Sequence, residues 1–419
     1  MNKIIKFDSG LTLAVTPMSN TRSLSIGVFV ETGSINETPE NNGISHLIEH
    51  MVFKGTATRN AYDIADEMES IGANINAFTS KNMTAYYTVS TDEYARQCID
   101  ILSDIYLNAT FTEENLQREK GVIVEEINMT EDNGEDLCFE LVSKAHFKDS
   151  PLALPILGTA ETVNAINYKM IKDYMSRFYT ADNTYIVMTG NISESAAVEL
   201  VKEFFEGKIK PNGEKSIVLP PAELVSECIC KEKPTEQANI AFSFPCISGR
   251  HPMRKALMLL NSIIGGGMSS RMFQEVREKL GLVYSVYTLP IHYLDDGYFV
   301  LYLGTSPDYV QKALGAIKKV ISELKSGGIT QKEFNKGKAQ LKSKMVLGAE
   351  SSSSIMRTNG RNLIMKNDLF ELDRELAEIE QITLQDTAEL INTILDLDKV
   401  SASCVGKSIN LDLLAEIKS

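Results

Sequence analysis

No stretch of this 419-residue chain is apolar for long. Residues 256–260 are among its longest apolar runs, and Asn261 ends them far short of the roughly 20 residues that a membrane-spanning helix needs. Basic residues are outnumbered, 42 Lys and Arg against 56 Asp and Glu. The resulting net charge of −14 argues against a nucleic-acid partner. The six cysteines are scattered, as in a large protein of a reducing compartment that needs no disulfide framework. Cys228-Ile229-Cys230 has neither a second pair nor a nearby histidine, so strand alternation explains it better than metal ligation. A phosphate-cradling loop is also lacking, because Gly265-Gly266-Gly267 follows a helical pattern rather than a strand. The first eight residues meet charge before any signal-peptide core forms, so the expected location is cytoplasmic.

Histidine is scarce too, with five in the chain, yet two of them lie four residues apart in His46-Leu47-Ile48-Glu49-His50. On a helix His46, Glu49 and His50 fall within one arc of about 100°. Two imidazoles at i and i+4 clasp one metal ion, with a carboxylate beside them that need not ligate it. Ile44, Leu47, Ile48, Met51, Val52 and Phe53 leave this helix almost no polar face, which predicts burial nearly all round. Two histidines and a carboxylate in such a setting are costly unless something there uses them.

At this length the chain exceeds one ordinary core, and a Pro/Gly/Lys-rich stretch at 213–222 reads as a linker between residues 1–212 and 223–419. The two sides repeat. Thr91 opens a helix that runs to about residue 106, and Thr112 opens the next; Ser306 and Thr330 open a corresponding pair in the second half. Strands are predicted at 11–16, 24–32 and 86–90, then at 238–244, 282–289 and 298–304. The expected class is α+β, with two structurally duplicated domains, each a largely antiparallel sheet backed by helices.

Hydrolytic zinc sites take three protein ligands, so a third is required. In the helix predicted over 112–130, Leu116 serves as the zero of a helical wheel. Ile123 then falls at about 340°, Glu126 at about 280° and Glu119 at about 300°, inside the apolar stripe. Glu126 is therefore the expected ligand, with Glu119 one heptad earlier as the carboxylate behind it; a salt-bridged helix face is the alternative. Under the offset of 218 from Thr112 to Thr330, Glu126 corresponds to Lys344 and Glu119 to Gly337, so only the first half carries metal chemistry.

These residues, with Glu126 placed 76 positions after His50, resemble the inverted zinc metallopeptidases: pitrilysin, insulin-degrading enzyme and the mitochondrial processing peptidases. Length and duplication are similar to the processing-peptidase β-like bacterial branch, whose fold is the processing-peptidase-like metallohydrolase. The resemblance implies that Asn76, Ala77, Phe78 and Thr79 form an edge strand that pairs with extended substrate. It also implies that Arg277 and Tyr284 act opposite the zinc. Taken alone, those two are an exposed arginine and a strand tyrosine, Arg277 near the end of a helix over 271–280 and Tyr284 beginning the next strand. Where relatives often place a glutamate beyond the edge strand, this chain has Lys81-Asn82-Met83.

The implied function is a zinc endopeptidase with one Zn2+ per chain, held by His46, His50 and Glu126, with Glu49 as general base. Implied partners are peptides or unfolded segments and a second copy of the chain as a homodimer. The acidic balance permits attraction of basic peptides. No nucleic acid and no membrane is expected. The rival readings are a non-catalytic scaffold, a subunit of a processing-peptidase-like heterodimer, and a zinc lyase.

Overall fold

Seven successive residues, 24–30, are buried in the strand Ser23–Val30. A strand buried along its whole length needs cover on both faces of its sheet. In the computed structural model, which describes residues 2–220, 222–407 and 412–418, the two covers come from distant parts of the chain. The chain divides into two compact units. The first comprises Met1–Ile127, Leu154–Ile217 and Leu347–Leu372, and the second Asn128–Ala153, Val218–Val346 and Asp373–Ser419.

The first unit holds β1 (Lys3–Lys6), β2 (Thr12–Pro17), β3 (Ser23–Val30), β4 (Asn74–Thr79), β5 (Thr84–Thr91) and β6 (Thr184–Gly190). They form one sheet in the order β1-β2-β6-β3-β5-β4, antiparallel except between β2 and β6. From β3, Leu24, Ile26, Val28 and Val30 join a core with Leu47 and Ile48 of α1 (Ile44–Val52) and Ile99 and Leu102 of α2 (Ala95–Asn108). The alternate residues face the other way. Ser25 Oγ lies 3.0 Å from Ser352 Oγ, and Phe29 packs so close to Gly360 that a Cβ there would stand 2.3 Å from the ring. Both partners belong to the helix Ser352–Lys366. β4 is one edge of the sheet and β1 the other.

The second unit repeats this plan with β7 (Cys228–Glu232), β8 (Ala238–Pro245), β9 (Ser285–His292), β10 (Gly297–Thr305) and β11 (Ser401–Gly406). Their order is β7-β11-β8-β10-β9, with β7 and β11 parallel. It matches β2-β6-β3-β5-β4 strand for strand, which is the duplication expected from the sequence. Ile240, Phe242 and Phe244 enter the core with Leu257 and Leu260. On the opposite face β8 meets α4 (Gly134–Phe147), the helix after α3 (Glu113–Asp132): Cys138 Sγ lies 3.4 Å from the Asn239 carbonyl, and His146 Nδ1 lies 3.1 Å from Ser243 Oγ.

The expected halves 1–212 and 223–419 are therefore corrected. The chain passes from the first unit to the second between Ile217 and Val218, inside the stretch 213–222, but α4 belongs to the second unit and Ser352–Lys366 to the first. Helical periodicity shows which side of a helix is buried, not which sheet buries it. Met1 and Pro221, which the N-terminal and linker readings include, lie outside the described residues. Among the described residues no helix is long and apolar enough to cross a membrane.

Candidate metal centre

The histidine helix begins at Gly43, whose φ of +96° no β-carbon would favour and which offers no side-chain cap. Glu37 takes that role from a distance. Its Oε2 accepts the Gly43 N–H at 2.7 Å and the Asn42 side-chain amide at 2.8 Å, while Oε1 accepts the Ser45 N–H at 2.9 Å. A carboxylate at the positive end of a helix is favoured electrostatically. Burial nonetheless pushes the Glu37 carboxyl above its ordinary range, against these hydrogen bonds.

From this start the helix turns Ile44, Leu47, Ile48, Met51 and Val52 into the core and leaves His46, Glu49 and His50 half-buried. The two imidazole rings stand 4.5 Å apart between centroids. Glu126 of α3 meets them, its Oε2 3.7 Å from both His46 Nε2 and His50 Nε2. One ligand atom from each of the three residues lies within 4.8 Å of the others. The atoms thus converge at separations too long for hydrogen bonds between them. Metal–ligand bonds of about 2.0–2.1 Å in a tetrahedral shell leave donor atoms about 3.3 Å apart, so the set is close to what zinc needs. Burial, followed by the neighbouring His50, pushes the His46 pKa down to about 4, which keeps the imidazole neutral as a ligand must be. The donor set fits zinc.

Behind the site, Glu119 Oε2 lies 3.3 Å from His50 Nδ1, and its Oε1 lies 3.0 Å from Lys54 Nζ. Glu119 is almost wholly enclosed, with a side chain 3% exposed. His46 Nδ1 is buried and has no hydrogen-bond partner among the described residues. Glu49 is not one of the three converging residues; it accepts the Thr79 hydroxyl on Oε2 at 2.5 Å. Burial raises its carboxyl above the ordinary range, while Thr79 and then His50 draw it back. Thr79 closes β4, and on the same strand the Ala77 N–H donates to Asn76 Oδ1 at 2.8 Å.

Arg277 and Tyr284 lie in the second unit, and both are exposed. The helix expected over 271–280 is mostly a π-helix, Phe273–Glu278, with the Arg277 guanidinium 4.8 Å above the Phe273 ring. Its turns are wider because Lys279 N–H reaches back five residues to the Gln274 carbonyl at 3.0 Å. Tyr284 precedes β9 rather than beginning it, although its N–H bonds the Gly304 carbonyl at 2.8 Å. On α3, Val122 is 41% exposed, while Lys120 is buried and reaches the Asn164 carbonyl at 3.0 Å. Sequence reasoning did not find Glu37 or Lys54. Lys54 sits four residues after His50, a spacing that could have signalled it, whereas a cap six residues ahead of Gly43 leaves no local pattern.

Two family models match the chain. One, described as Insulinase (Peptidase family M16), covers residues 13–160, and the other, described as Peptidase M16 inactive domain, covers residues 165–341. A Bacillus subtilis (strain 168) protein named "Uncharacterized zinc protease YmxG" is 40% identical over 379 residues, 90% of this chain and 91% of its own length. A Rickettsia bellii (strain RML369-C) protein named "Uncharacterized zinc protease" is 32% identical over 400 residues, covering 95% of this chain and 96% of that one. Among solved structures, a peptidase M16 inactive domain from Pseudomonas fluorescens superimposes with a TM-score of 0.90 at 21% identity, over 98% of both chains. A protease from Helicobacter pylori does so with a TM-score of 0.90 at 22% identity, over 97% of this chain and 99% of its own.

Proposed function

The chain belongs to peptidase family M16, and from that premise we propose that it is a zinc-dependent endopeptidase cleaving peptides or unfolded segments bound in extended form. The observation that carries this reading is the convergence of His46, His50 and Glu126 beside a Glu49 that is held by Thr79 instead of joining them.

When bound, zinc supplies Lewis acidity that makes water a nucleophile at neutral pH. His46 and His50 present neutral imidazoles, and Glu126 contributes the one negative charge of the ligand set. Glu119, itself ion-paired to Lys54, orients His50 through Nδ1. Glu49 takes a proton from the attacking water and passes it to the leaving amine, the work of a general base that becomes a general acid. The open edge of β4, Asn76 to Thr79 included, pairs with the peptide backbone, so affinity comes from main-chain hydrogen bonds and selectivity from side-chain pockets. Arg277 and Tyr284 enter on the resemblance alone, as donors to the carbonyl under attack. One zinc per chain, a homodimer, basic peptides as substrates and a cytoplasmic location belong to the same proposal.

The test pairs metal content with cleavage of a quenched peptide library, for the unsubstituted chain and for Glu49→Gln. The expected result is close to one zinc per chain in both, with chelator-sensitive cleavage confined to the unsubstituted chain. Zinc in both with cleavage by neither turns the reading toward a subunit of a heterodimer. Absence of both zinc and cleavage leaves the scaffold.

A further inference from the structure

The general base proposed above and the strand proposed to hold the peptide are joined by one hydrogen bond, Thr79 Oγ1 to Glu49 Oε2 at 2.5 Å. The other Glu49 oxygen has no hydrogen-bond partner among the described residues. Glutamate carboxyl groups rotate broadly about their last torsion, so a carboxylate bonded through one oxygen differs from a free one in where its second oxygen points. Thr79 is itself fixed. It pairs with Thr84 in the β4–β5 ladder, the next N–H, of Ser80, donates to the Met83 carbonyl at 2.8 Å, and the Ser80 carbonyl accepts the Ser34 N–H at 3.2 Å. The hydroxyl is thus delivered from a rigid element, and α1 packs directly against β4.

We propose that Thr79 is a positioning residue for Glu49: by occupying Oε2 it fixes the carboxylate plane and leaves Oε1 aimed at the water. The inference rests on the peptidase reading and deepens it. The strand that aligns the scissile bond also aligns the base, so base and peptide share one rigid reference, and a misplacement of about 1 Å between such groups costs about 100-fold in rate.

Thr79→Val keeps the shape of the side chain and removes the hydroxyl, while Thr79→Ser keeps the hydroxyl. With a quenched peptide as substrate, Thr79→Val is expected to lower kcat by about 10–100-fold with KM changed less than about threefold, and Thr79→Ser to restore kcat to within about threefold. Zinc content stays equal across the series. A second readout needs no activity. Thr79→Val is expected to lower the thermal midpoint by about 2–4 °C when Glu49 is present and by less than a third of that in a Glu49→Ala background, because the acceptor is already gone. A raised KM with kcat intact overturns the proposal and leaves Thr79 a substrate contact only; equal thermal shifts in the two backgrounds overturn it as well. If the unsubstituted chain cleaves nothing, the peptidase reading fails separately, and unequal thermal shifts still uphold the Thr79–Glu49 link.

Discussion

Glu119 Oε2 lies 3.3 Å from His50 Nδ1, and the same buried carboxylate is ion-paired through its other oxygen to Lys54 at 3.0 Å. One imidazole of the converging pair is therefore oriented from behind, while the other, His46, has a buried Nδ1 with no such partner among the described residues. Of the two imidazoles, only the orientation of His50 leans on Glu119.

Replacing that carboxylate shows how much. Glu119→Gln keeps the volume but loses the charge that holds Lys54 and favours the Nδ1–H tautomer of His50. Outer partners of this kind are worth about 10–100-fold in metal affinity. A competition titration against a chromophoric chelator should show zinc binding weakened in that range, and an unchanged affinity would falsify the role assigned to Glu119.

Glu37 is a second dependency of the histidine helix. Glu37→Ala leaves the N–H groups of Gly43 and Ser45 and the Asn42 amide without their acceptor inside the protein. Loss of a helix cap together with buried unsatisfied donors costs about 2–4 kcal/mol. Urea unfolding followed through the first unit should move to a lower midpoint with an unchanged slope.

His146 sets an acid limb in the second unit. Burial pushes its pKa down to about 4 from the ordinary value near 6.5. Between those values the unfolded chain binds a proton that the folded chain refuses. Stability from the neutral imidazole is thus complete above about pH 6.5 and is lost as pH falls toward 4, by on the order of 3 kcal/mol. His146→Gln should flatten that part of the stability–pH curve measured by denaturant titration, and an unaltered curve would count against it.

Gly360 tests the exchange of helices. A Cβ there would stand 2.3 Å from the Phe29 ring. Gly360→Ala should therefore lift the helix Ser352–Lys366 off β3 at a cost of about 1–3 kcal/mol, seen as faster amide hydrogen exchange in that helix. Gly72→Ala, at a glycine with φ of +66° and nothing within 4 Å, separates backbone strain from crowding.

Much of this protein was legible in its residues because the signals are local. The i, i+4 histidines in an apolar helix, the phase of Glu119 and Glu126 along α3, and strands β2, β3, β5, β8, β9 and β10 follow from periods of 3.6 or 2, which backbone geometry imposes on any chain, whereas β1, β6 and β11 were not among the expected strands.

What tertiary structure alone decided is everything that depends on which surfaces meet. Periodicity could not assign α4 to one sheet and Ser352–Lys366 to the other, since an apolar stripe fits any complementary face. Nor could it reveal that Glu37 caps a helix six residues away, that Lys54 holds Glu119, or that Thr79 grips Glu49. Those contacts join residues with no fixed spacing, and only the packed fold brings their polar atoms within the roughly 3 Å at which a hydrogen bond forms.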